Sequence, residues 1–145
     1  MVEEKEILLS QVTDALGASQ CYGERISVYI PNKGREKAEA DSPQIEIEDW
    51  RGWVTKFYRL LGEINNGATT LPASSGFYIT EQKARVDEKT IVVYSYVEKR
   101  TKFLEEIWQL KKLLYQFGRE TRQEKVFLEF DGSAIAIREP FDLTD

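Results

Sequence analysis

The chain has no histidine and only one cysteine, Cys21. Without histidine there is no Ser-His-Asp relay, no Cys-His nucleophile pair and no imidazole general base. A lone thiol cannot close a disulfide within the chain, and without histidine the usual zinc ligand sets are out of reach. Cys21 therefore reads as a half-buried packing residue near the start of a strand. Any catalysis must run on carboxylates, Lys, Tyr, Arg or an oxygen-bound metal, and no metal site or cofactor is expected. No apolar stretch approaches the about 18 residues needed to cross a bilayer, and the opening "MVEEKEILL" is acidic where a secretory signal would be basic. These absences point to a soluble cytoplasmic protein with no membrane segment.

What is present suits one domain over residues 1–145. A 41% hydrophobic share with 12% aromatics supplies a single core at this length. The net charge of −5 is uneven: residues 1–50 carry eleven acids and five bases, whereas 99–125 carry eight bases and four acids. A basic middle between acidic ends favours an anionic ligand locally, while the overall acidity disfavours nucleic acid.

Ile7, Leu8, Val12 and Leu16 recur at helical spacing, so a helix is expected over 1–17, stopped by Gly17. "ERISVYI" alternates as a strand, and residues 33–46 are so charged that a mobile loop is expected. A second helix starts near Asp49 as N-cap and carries Trp50, Trp53, Val54, Phe57, Leu60, Leu61 and Ile64. "GFYITE" and "KTIVVYSYV" read as a hairpin joined by "QKARVDE". A third helix runs from about Lys99 to Phe117, with Phe103, Ile107, Leu110 and Leu114 on its core stripe and Gly118 as its stop. Asp131-Gly132 then joins "KVFLEF" to "SAIAIR" as a second hairpin.

Within 24–138 the order is strand, helix, strand, strand, helix, strand. That is an α+β, two-layer ferredoxin-like sandwich (βαββαβ, antiparallel sheet), here with an extra N-terminal helix and a C-terminal hairpin strand. One sheet face should meet the helices through Ile26, Val28, Ile30, Phe77, Ile79, Ile91, Val93, Val97, Val126, Leu128 and Phe130. The other face then collects Tyr29, Tyr78, Val92, Tyr94, Tyr96 and Phe127. So aromatic a face is expected to be covered, by a second copy of the chain, by the first helix or by the last strand, or else to stack bases. The signature of RNA-binding sheets is absent.

Trp50, then Gly67, Thr69, Gly76 and Phe77, then Glu88, then Phe117-Gly118 and Gln123-Glu124 with Val126 form a pattern of short pieces over about 26–130. In it the chain resembles small bacterial α+β domain families of unknown function, and differs by the four residues Arg119 to Arg122 between Phe-Gly and Gln-Glu. The resemblance implies the α+β architecture and no particular reaction.

Two segments are candidate ligand sites. In "GRETRQE", Arg119 and Arg122 suit carboxylate or phosphate, and Thr121, Gln123 and Glu124 add directional hydrogen bonds. In "NGATTLPASSG", small residues with Thr69 and Thr70 suit an anion nest, although a plain turn with a short edge strand explains them too. Glu81-Gln82-Lys83 matches half of a metal-dependent nuclease motif, but lacks the upstream Asp and reads as a hairpin connection. The leading expectation is a non-enzymatic binding or regulatory module, a homodimer through Tyr29, Tyr78, Tyr94, Tyr96 and Phe127, taking a small anion, a nucleotide or a protein partner. The alternative is a hydrolase or lyase working through Glu124, Glu88 or Tyr78, with Arg119 or Arg122 holding the substrate. A second alternative binds single-stranded nucleic acid on the aromatic face.

Overall fold

Strand β1 (Arg25–Pro31) is the centre of the structure, a computed structural model that describes residues 2–20, 23–34 and 45–143. Its alternation buries Ile26, Val28 and Ile30 under the helices. It pairs antiparallel with β4 (Arg85–Tyr96) on one side and β5 (Lys125–Phe130) on the other. Beyond β5 lies β6 (Ser133–Arg138). Beyond β4 lie two short strands, β2 (Thr69–Thr70) and β3 (Ser74–Ile79), both paired with it. The result is an α+β fold with a six-stranded antiparallel sheet and three helices.

Helices α2 (Trp50–Asn65) and α3 (Arg100–Glu120) cover one face. Trp53 and Phe57 of α2 meet Phe117 of α3 edge-to-face, with ring centroids 5.3 and 5.8 Å apart, at the middle of the core. Asp49 occupies the N-cap position of α2 in a left-handed conformation, but its side chain makes no capping hydrogen bond. The β5–β6 turn is as expected: Asp131 and Gly132 both take positive φ, as a two-residue hairpin turn matched to strand twist requires.

Several expectations are corrected. The first helix forms as α1 (Val2–Leu16), but Ile7, Leu8, Val12 and Leu16 are all exposed, so it covers neither sheet face. Ile107 is exposed as well. The loop expected over 33–46 is pinned at both ends: Lys33 bridges Glu46, Gly34 N–H donates to Ile45 O at 2.7 Å, and Ile47 N–H to Asn32 O at 2.9 Å. Residues 35–44 and Cys21 lie outside the described residues. "RVDE" is strand rather than connection, leaving only residues 80–84 at the hairpin tip.

The hairpin accounts for another correction, the exposure of Phe77 (59%) and Ile79. Side chains alternate along β4, yet the buried set switches parity: Ile91, Val93 and Ser95 are buried in its second half, Val86 and Glu88 in its first. The second half lies under the helices. In the first half the twisted sheet curls the β3–β4 hairpin over the opposite face, until the Tyr78 ring meets Phe127 at 6.1 Å, although β4 and β1 separate their strands. Part of the aromatic face is thus covered by the chain's own hairpin.

Candidate functional site

The corner between α3 and β5 is built differently from its sequence reading. Gly118 does not stop α3, which continues to Glu120. Gly118 sits inside the helix because a β-carbon there would lie 2.7 Å from the ring of Phe141. The helix ends through Arg122, whose φ of 57° is left-handed. Gln123 N–H then donates to Gly118 O at 2.9 Å and Arg122 N–H to Arg119 O at 3.4 Å, the paired closure of a Schellman motif. Arginine where glycine is usual leaves no signal in the sequence.

This turn divides the residues of "GRETRQE". Arg119 and Arg122 point to solvent, while Thr121, Gln123 and Glu124 are buried. The Thr121 hydroxyl donates to Phe117 O, and Gln123 Nε2 donates to Lys33 O at 3.0 Å and Thr121 Oγ1 at 3.2 Å, tying the segment after β1 to the helix end. These two are structural. The cavity beside Arg122, about 530 Å³, is lined by Glu46, Glu48, Asp49 and Glu120, an acidic setting that repels an anion. Thr69 and Thr70 lie on the exposed edge strand and line a different cavity with Arg51 and Tyr58. The two candidate ligand segments thus line different cavities.

What the fold does assemble is a carboxylate on the curled face. Glu124 is 5% exposed, and its Oε1 accepts the Tyr78 hydroxyl at 3.1 Å and the Glu81 N–H at 3.3 Å. Its main-chain oxygen accepts Glu139 N–H at 3.0 Å, so backbone and side chain are both held. Glu88, 7% exposed, lies in β4 on the same face, two residues from the fully buried Val86. Further along, the Tyr29 hydroxyl donates to Glu129 Oε2 at 3.4 Å, and burial, then the Glu129 carboxylate, push its pKa up. Arg25 lies 3.8 Å from Glu129 and over the ring of Tyr94, which meets Tyr96 edge-to-face.

The Glu124 carboxylate, buried beside Tyr78, whose ring packs on Phe127, can hold a cation against aromatic rings and accept a proton in a water-poor setting. Among the described residues, no three of His, Cys, Asp and Glu are grouped to hold a metal ion. Sequence reasoning had named Tyr78, Glu88 and Glu124 as alternative catalytic groups of the hydrolase or lyase reading. It missed Glu129 and Arg25; the alternation of Phe127 and Glu129 along β5, opposite Tyr29, could have found the first.

No protein-family model and no curated protein matches the chain. Two solved structures share its fold, both of a phage SAM lyase. One, in complex with S-methyl-5'-thioadenosine, is 17% identical with a TM-score of 0.52, covering 83% of this chain and 92% of that one. The other, in the apo state, is 14% identical with a TM-score of 0.55, covering 83% and 93%. At that identity the likeness is one of fold. It nevertheless corrects the leading expectation of a non-enzymatic module: both of these structures are of an enzyme, which fits the enzyme alternative better.

Proposed function

We propose that this protein is a lyase that cleaves a carbon–sulfur bond of a sulfonium nucleoside such as S-adenosylmethionine. One observation carries the reading: the buried Glu124 carboxylate, oriented by the Tyr78 hydroxyl and the Glu81 amide on the aromatic face. The fold shared with the phage enzyme supports it.

The chemistry asked of the site is modest. A sulfonium carries its own leaving group: the C–S bonding pair goes to sulfur, which departs as a neutral thioether. The carbon fragment is satisfied when Glu124 takes a proton from the adjacent carbon and the C–H pair becomes the new double bond. The step annihilates a positive and a negative charge, so exclusion of water favours it over the separated ions. Tyr78 is a positioning residue that holds the carboxylate, and the surrounding rings receive the sulfonium. The overall charge of −5 suits a cationic substrate better than the anion first expected.

The test is incubation of the purified protein with S-adenosylmethionine and chromatographic detection of S-methyl-5'-thioadenosine. Glu124→Gln should lower the rate by about 10²–10⁴-fold, the range of a lost general base. No thioether from the wild type, or an undiminished rate in Glu124→Gln, would overturn the reading. Two finer points belong to the same proposal. The strand order β3-β4-β1-β5 with α2 and α3 on one face supports a ferredoxin-like core, and the cytoplasm is the compartment in which we expect it to act.

A further inference from the structure

Two apolar surfaces of this chain have no partner among the described residues, and they are of opposite charge. The first is α1. Leu8, Leu9, Val12 and Leu16 stand at helical spacing and are 40–75% exposed, and the helix carries Glu3, Glu4, Glu6 and Asp14 against Lys5 alone. The second lies on the outer side of the helical layer. Phe103, Leu110, Leu114 and Phe117 turn α3 into the core, which leaves Leu104 and Trp108, 68% and 60% exposed, on a different stripe. Beside Trp108 a groove of about 460 Å³ runs between α2 and α3, floored by Leu60 and Leu113 and edged by Lys56, Arg59 and Lys112. Against these three cations it has one acid, Glu63.

We infer that α1 of one copy docks on the α2–α3 groove of a second copy, with the two copies exchanging helices reciprocally. This surface is separate from the carboxylate site, and the inference does not rest on the proposed reaction. Apolar contact supplies attraction, and the acidic flanks of α1 against the lysine-rich rim select the partner and its orientation. A 15-residue helix is about 22 Å long and about 10 Å wide. Covering that strip on both surfaces hides about 440 Å², and two reciprocal dockings hide about 900 Å² before side-chain relief is counted. That sits near the lower limit of about 1,000 Å² for a specific interface, so association in the micromolar range is expected. Reciprocity is what makes it sufficient, because each docking makes the other intramolecular.

The experiment is sedimentation velocity of the full chain across a micromolar concentration series, for the wild type, Leu8→Glu with Val12→Glu, and Trp108→Glu. All three positions are exposed, so none of the substitutions disturbs the core. The wild type should self-associate, and each variant alone should lose at least tenfold in dissociation constant, about 1.4 kcal/mol. Mixed together, the two variants can form only one of the two dockings, so the mixture should associate more weakly than the wild type. A wild type that stays monomeric, association that survives either variant, or a mixture that associates as tightly as the wild type would each overturn the exchange.

Discussion

Replacing Tyr78 by Phe removes a single oxygen, and the structure says what that oxygen does. It donates to Glu124 at 3.1 Å and closes the curled β3–β4 hairpin onto the start of β5. Hydrogen bonds to a charged group contribute about 1.5–3 kcal/mol. Because the pair is only partly buried, the lower end applies, about 1.5 kcal/mol. With a urea m-value of about 2 kcal/mol/M for a chain of this size, the midpoint should fall by about 0.7 M at constant slope. Glu124→Gln weakens the same contact and that to Glu81 N–H. The double variant should therefore cost less than the sum of the two single changes, by about 1 kcal/mol. Hydrogen exchange should show where the loss falls: Lys83 and Ala84, whose amides bond to Thr80 at the hairpin tip, should exchange faster while β1 amides keep their protection. Additivity within about 0.3–0.5 kcal/mol would mean that the two side chains are not coupled, and the account of the curled hairpin would fail with it.

Gly118→Ala should destabilise the protein by about 1–3 kcal/mol, because the new methyl meets the ring of the buried Phe141 at 2.7 Å. In an open helix the same change would add about 1 kcal/mol, so the sign of the urea-midpoint shift decides whether Phe141 packs as described. Tyr29 gives an alkaline signature. Its pKa is raised in the fold above its ordinary value of 10.0, by burial first and Glu129 second. Its contribution is thus fully present below about pH 10 and lost as pH rises through the folded value. Tyr29→Phe should flatten that part of a stability-versus-pH curve; a curve unchanged above pH 10 would refute the assignment.

Local pattern was enough for the elements and most of the core. The alternation of Ile26, Val28 and Ile30 makes β1 whatever surrounds it, the stripe from Trp53 to Ile64 makes α2 a core helix, and Asp131-Gly132 admits little but a tight hairpin. The absence of histidine likewise confined any chemistry to carboxylates, Lys, Tyr, Arg or an oxygen-bound metal. The site was not legible in the same way. Tyr78 and Glu124 are 46 residues apart, and only the accumulated twist of the sheet brings β3 across to β5. Gly118 carried the signal of a helix stop, but the Phe141 ring claimed the space above it, and the stop passed to Arg122, where nothing in the sequence marks a left-handed residue. The charged run "GRETRQE" shows the division most plainly. Composition made it look like an anion site, whereas the turn that ends α3 sends its arginines and Glu120 to solvent and Glu124 inward. Which way a side chain points depends on backbone curvature summed over many residues, and no short stretch of sequence encodes that sum.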